Sequence, residues 1–279
     1  MTTFGSRLAG AIETRGRFCA GIDPHPALLD AWGTTDSVTG LERFSMTAVE
    51  ALAGTVAAVK PQSAFFERYG SRGVAVLERV IEAARDLGAL VVLDVKRGDI
   101  GSTALGYAEA YLNPLSPLAA HAVTVSPYLG TGSLDPFLDT AAEHDAGVFV
   151  LALTSNPEGP QVQHATTPDG RTVAQVVLDS VAGRNAGGDG LGSVGCVVGA
   201  TVELPDTMTS ASLDIGGPLL VPGIGAQGGT VEDVRRVFGD AARLVLPSSS
   251  REVLGAGPEK GALRDAALRQ IEAFAPLGD

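Results

Sequence analysis

The sequence predicts an α/β protein folded as a single (β/α)8 TIM barrel spanning residues 1–279. Three observations carry this. Eight short β-rich runs alternate with longer helical segments, as βα units around a parallel sheet do. The runs are apolar on both parities, as strands covered on both faces must be. Charged and small polar residues collect at the C-terminal ends of the runs, where such barrels place their chemistry. A doubly wound open sheet is the architectural alternative, and eight units in 279 residues favour closure.

Each element follows from local composition. The first strand, 18–23, ends at Asp23 and leads to a helix over 39–53. The second, 55–60, ends at Lys60, and Pro61 directs the chain out of the sheet. A helix over 71–87 opens on Ser71, sets Val74, Leu77, Ile81 and Ala84 at helical spacing, and stops before Gly88, which tolerates a left-handed C′ position. The third strand, 90–96, carries Asp94 and Lys96 and precedes a helix over 102–112. Strand 122–126 ends at Ser126 before a helix at 133–144, and strand 147–154 ends at Thr154 and Ser155 before a helix at 171–186. The Gly-rich stretch AGRNAGGDGLG is a helix-end loop. Strand 194–200 leads through Thr201 to a helix at 203–212, and strand 219–222 leads through Gly223 to a helix at 230–238. Strand 244–247 runs into Ser248–Arg251, and the last helix covers 261–274.

Composition excludes several function classes. Apolar runs are broken by charge long before the roughly 20 residues of a membrane span, and 45% apolar content suits a buried core. The N-terminal MTTFGSRLAGAIETRGRF lacks the apolar core of a secretory signal, so a cytoplasmic location is expected. A net charge of −12 argues against a nucleic-acid partner, yet a few backbone N–H groups and one Arg can still hold a single phosphate. Cys19 and Cys196 lie in apolar stretches and are expected to be buried small hydrophobes. His25, His121, His144 and His164 have no metal-ligand spacing, so no metal site is expected. Chemistry then falls to Lys, Asp and polar groups.

The segment LVVLDVKRGDIGST, residues 90–103, is the most informative. Asp94 and Lys96 stand two apart on a strand and share a face, here the barrel interior or its mouth. Burying both is costly unless they pair with each other or with a substrate. One reading is a structural ion pair. The position at the strand end, with Asp99 in the next loop, favours a reactive one. Lys60 at the end of the second strand then joins an alternating cation and anion array, fixed by mutual attraction before any substrate arrives. Near the C-terminus, LLVPGIGAQGG (219–229) is a strand entering a glycine-rich turn ahead of a helix, and LPSSSRE adds hydroxyls and Arg251. Gly223, Gly225 and Gly228 permit close backbone approach, and loops after strands seven and eight commonly form a phosphate site.

At these residues a family resemblance becomes specific. DVKRGDIGST resembles the DxKxxDIxxT signature of orotidine 5′-phosphate decarboxylases, and PGIGAQGG resembles that family's phosphate loop. GIDPHP, VKPQSAFFERYG and LTSNPEG resemble segments of its longer branch, so the likeness spans nearly the whole chain. The resemblance implies conversion of orotidine 5′-monophosphate to UMP and CO2 without a cofactor or metal. It implies Lys96 as proton donor with Lys60, Asp94 and Asp99 as its partners in the array. It assigns Asp23 to the ribose hydroxyls, Ser155 to the pyrimidine, and Gln227 and Arg251 to the phosphate. It also implies a homodimer in which Asp99, Ile100 and Thr103 reach the neighbouring subunit's site. The chain departs from shorter family members in reading PSSSRE where they carry a Gly-Arg pair, which leaves open whether Arg251 or Ser248–Ser250 dominates phosphate binding. Residues 155–170 are long enough to cover the base. Two rivals remain: a metal-dependent sugar-phosphate decarboxylase or aldolase on the same barrel, and a non-catalytic barrel that binds a phosphorylated nucleotide.

Overall fold

A computed structural model describes residues 2–225 and 228–277. Its parallel strands pair in sequence order into a closed barrel, as expected. They are β1 (Cys19–Ile22), β2 (Ala58–Pro61), β3 (Leu90–Arg97), β4 (Ala122–Val125), β5 (Gly147–Leu153), β6 (Val194–Val198), β7 (Leu219–Val221) and β8 (Val245–Ser249). β8 closes on β1 through the pairs Cys19 with Ser248 and Ala20 with Ser249. The helices of eight or more residues are α1 (Phe4–Arg15), α2 (Val38–Leu52), α3 (Ser71–Asp86), α4 (Gly101–Leu112), α5 (Asp135–Glu143), α6 (Val173–Asn185), α7 (Val231–Phe238) and α8 (Lys260–Phe274). No described helix is long and apolar enough to cross a membrane.

Two cores divide the apolar residues. The larger lies between the strands and the outer helices and includes Leu41 and Phe44 of α2, Leu77 and Ile81 of α3, and Val91 and Leu93 of β3. The smaller fills the barrel interior, where one residue in two along each strand points inward. Cys19, Ala58, Leu90, Val92, Ala122, Phe149, Val197, Leu220 and Leu246 form it, and Phe4 and Leu8 of α1 plug its N-terminal end. The Phe4 ring meets Phe149 edge to face at a centroid distance of 6.0 Å. Gly147 and Gly195 make room for these rings, since a Cβ would fall 2.3 Å from Phe4 at the first and 2.7 Å from Phe149 at the second. Two residues further along the strands the inward positions turn polar: Lys60, Asp94, Thr124 and Ser248 are all buried.

Several boundaries differ from the sequence reading. The helix expected at 203–212 is absent, and only a 3-10 turn, Ser210–Leu213, occupies its place. Pro205 cannot donate within a helix, and Asp206, Thr207 and Thr209 favour caps and turns. Thr209 and Ser212 indeed cap that turn reciprocally. α1 was not anticipated, although Thr3 caps it by accepting from the Ser6 N–H. β2 starts at Ala58, not 55, because the Thr55 and Val56 N–H groups both bond to Leu52 O and continue the turn after α2. Pro61 remains in the strand, opposite Ile22, and β8 extends through Ser249. α3 is capped by Gly70 at φ +63°, with Ser71 as its first residue, and its buried face includes Val76 and Val80 while Val74 is half-buried. Gly88 adopts φ +80°, as its C′ position requires.

Candidate active site

The charged array forms at the C-terminal end of the barrel. Asp94, buried on β3, is its hub: Lys60 Nζ donates to Oδ2 at 3.3 Å, Lys96 Nζ to Oδ1 at 2.5 Å, and Thr124 Oγ1 to Oδ1 at 2.7 Å. Burial alone would raise the Asp94 pKa, but the Lys60 and Lys96 ammoniums and the hydrogen bonds from Lys96 and Thr124 outweigh it and hold the carboxyl down at about 2. Burial would conversely lower the Lys60 pKa, and the Asp23 and Asp94 carboxylates reverse this and raise it. Both groups therefore stay charged across the neutral range. Lys60 is confined between two carboxylates at the floor, whereas the Lys96 side chain is 43% exposed and reaches into the mouth.

Lys96 has a left-handed backbone, φ +46°, which costs free energy for a residue with a Cβ. It sits where the β3–β4 register breaks between Leu93 and Arg97. The Thr124 hydroxyl spans the break, accepting from Val95 N–H at 3.1 Å and Lys96 N–H at 3.0 Å while donating to Asp94. Beyond it Arg97 rejoins the sheet, and its guanidinium pairs with Glu67 at 2.6 Å and lies over Tyr107. The bulge re-aims the lysine, and the bonds on either side of it hold that conformation. Thr124 was not singled out from the sequence, although strand parity signalled it: Ala122 points inward, so the residue two further on does too.

A cavity of about 520 Å³, a size that suits a nucleotide, adjoins the array and shares Lys60 with it. Its lining also includes Asp23, His25, Phe65, Gly223, Ile224, Ser248–Ser250 and Arg251. Asp23 Oδ1 and Ser250 Oγ are buried without hydrogen-bond partners, so both are open to a polar ligand. Arg251 is exposed and begins a short helix, Arg251–Leu254. His25 and Phe65 were also missed as lining residues, and their rings meet edge to face at 5.8 Å.

The glycine-rich loop folds back on itself through its own backbone. Gly223, Gly225 and Gly228 all have positive φ, but the Gly225 N–H bonds to Gly229 O and the Gly228 N–H to Gly225 O. The N-terminus of α7 does not line the cavity, and its Thr230 and Asp233 cap each other. Gln227 lies outside the described residues.

Other candidates stand apart from the array within one chain. Asp99 makes no ion pair with Lys60 or Lys96, and its Oδ1 accepts from the Ile100 N–H at 2.8 Å. Ile100 is 62% exposed, and Thr103 is exposed on α4. Ser155 is exposed beyond β5 and packs beside Gly199. The segment 155–170 contains a short helix, Pro160–Gln163, and docks through Gln163, whose side chain bonds to the Thr154 N–H at 2.9 Å and to Thr154 Oγ1 at 2.7 Å.

Comparison with known proteins agrees with this geometry. A family model described as orotidine 5′-phosphate decarboxylase / HUMPS matches residues 16–266. The orotidine 5′-phosphate decarboxylase of Salinispora tropica is 60% identical over 271 residues, covering 97% of this chain and 96% of its own. That of Streptomyces coelicolor is 59% identical over 269 residues, covering 96% of each. The crystal structure of a Streptomyces avermitilis protein assigned as an orotidine 5′-phosphate decarboxylase superposes with a TM-score of 0.96 at 57% identity, over 100% of this chain and 96% of that one. The chain belongs to the orotidine 5′-phosphate decarboxylase / HUMPS family.

Proposed function

We propose that the chain converts orotidine 5′-monophosphate to UMP and CO2, with Lys96 as the proton donor. The observation that carries this reading is the Lys60, Asp94 and Lys96 array beside a nucleotide-sized cavity. Loss of CO2 from C6 of the pyrimidine leaves a carbanion. Lys96 stabilises the charge developing there and then delivers the proton, so electrostatic and general-acid roles fall on one ammonium. Asp94 stands beside the leaving carboxylate, and Lys60 keeps Asp94 ionised and in place. The reaction needs no cofactor or metal.

Asp23, with its unpartnered Oδ1, receives the ribose hydroxyls. The phosphate lies between Gly223, Gly225 and Gly228 of the loop, Gln227, Ser250 and Arg251. Because the Gly225 and Gly228 N–H groups are already used, those glycines contribute close approach more than donors, and Arg251 supplies the charge. Ser155 recognises the pyrimidine. The exposure of Ile100 and Thr103, and the absence of a bond from Asp99 to either lysine, support a homodimer in which this segment completes the partner's site. The whole chain acts as one catalytic domain in the cytoplasm.

Loss of orotidylate absorbance on adding the protein tests the activity directly. Its persistence after exhaustive chelation separates this reading from a metal-dependent sugar-phosphate enzyme. Lys96→Ala should abolish turnover while circular dichroism stays native. A folded Lys96→Ala chain with near-normal turnover would refute the assignment.

A further inference from the structure

We propose a second anion site at the N-terminal end of the barrel, opposite the catalytic mouth, formed by Arg7, Arg85 and His121 and sized for one small inorganic oxyanion. It is a cavity of about 100 Å³ whose lining also includes His144 and no carboxylate residue. Arg7 comes from α1, Arg85 from the last turn of α3, His121 from the approach to β4, and His144 from the end of α5.

The polar side chains that line this cavity are two arginines and two histidines. His121 Nδ1 accepts from the Val91 N–H at 2.9 Å, so a neutral imidazole carries its proton on Nε2 and offers a donor there. Burial, with Arg7 and Arg85 adding to it, holds that imidazole neutral down to about pH 4. Arg7 spends one N–H on Asp145 O at 2.7 Å, but its Nε is buried with no partner. Arg85 bonds weakly to Ala119 O at 3.4 Å. Neither guanidinium has a carboxylate within 4 Å among the described residues; the Asp145 side chain acts on Arg7 only through its longer-range field. In a chain of net charge −12, two guanidiniums without an ion-pair partner at one cavity with a neutral histidine are a local exception. A buried guanidinium N–H without an acceptor is costly, and a tetrahedral oxyanion offers acceptors to Arg7, Arg85 and His121 together.

Inorganic phosphate is the probe, and an Arg251→Ala chain removes the contribution of the catalytic phosphate pocket. In that background, phosphate should shift the His121 side-chain N–H resonance and raise the melting temperature beyond the effect of chloride at equal ionic strength. Arg85→Gln, at an exposed position, should weaken this response about tenfold, as loss of one charge-assisted contact does, and Arg7→Gln should do the same if it folds. With Arg251 intact, Arg85→Gln should leave turnover in phosphate-free buffer unchanged. No phosphate-dependent change at His121 in the folded Arg251→Ala chain, or an equal response to chloride, would overturn the proposal and leave water as the occupant.

Discussion

Thr124 shows how much one hydroxyl can organise: three hydrogen bonds tie the Asp94 carboxylate to the backbone on which Lys96 is turned outward. Thr124→Val keeps the shape and removes all three, leaving two backbone N–H groups without a partner and Asp94 Oδ1 with Lys96 alone, a loss of about 1–3 kcal/mol. Turnover should fall roughly ten- to a hundredfold with KM little changed, since about 1.4 kcal/mol is tenfold in rate. Thr124→Ser should restore most of it; a Val variant with wild-type turnover would show that the bulge holds itself. Two buried groups contribute to the response to acid. His121 titrates well below its ordinary 6.5, so the stability from keeping it neutral is fully present above pH 6.5 and is lost as pH falls toward about 4, a change on the order of 3 kcal/mol. Asp94 titrates below its ordinary 3.8, so its contribution persists above that value and is lost as pH falls toward about 2, a further change of about 2 kcal/mol. Unfolding free energy in phosphate-free buffer should therefore decline in two successive windows. His121→Gln, which keeps an acceptor for Val91 N–H, should flatten the upper one.

At the scale of elements, α1 acts through Phe4 and Leu8, which close the barrel end and bury fully. Phe4→Ala should cost about 3–5 kcal/mol by the usual cost of a large-to-small core change. Gly147→Ala should also destabilise, because its Cβ meets the Phe4 ring. The two changes should be strongly non-additive in a double-mutant cycle, whereas additive losses in denaturant unfolding would mean that the clash is relieved elsewhere. The strands were legible from the sequence because strands apolar on both parities have few other uses, and α2 through α8 were legible as the helical segments between and after them. α1 was overlooked beside a search for βα units, since it precedes the first strand. In the stretch after β6, Leu204 and Met208 stand four apart as on a helix face, while Pro205 and the Thr and Ser residues around it decide the backbone. In the site, Lys60, Asp94 and Lys96 were readable from position at strand ends. Thr124 needed inward parity followed one residue pair further, and the internal bonding of the glycine loop depends on backbone angles that composition does not specify.

The barrel interior is under different demands at its two ends: packing at the N-terminal end, charge at the other. If sites are shared across a homodimer, mixing inactive Lys96→Ala chains with inactive Asp99→Ala chains should produce heterodimers with one site carrying both lesions and one carrying neither. Activity should return on subunit exchange. Exchange verified by mass spectrometry without recovered turnover would place Asp99 in its own chain's site. The layer beneath the array has a further effect on the proposed reaction. Cys19, Val92, Leu220 and Leu246 are buried directly below it, Phe4 and Leu8 seal the end beneath them, and burial lifts the Cys19 thiol to about 12, so it carries its proton at neutral pH. Apart from Cys19, the residues of this floor are apolar and carry no proton to pass upward. On the proposed reaction the proton that Lys96 delivers is then replaced from the mouth, the one side of the array open to solvent, and each catalytic cycle reopens before the lysine is recharged.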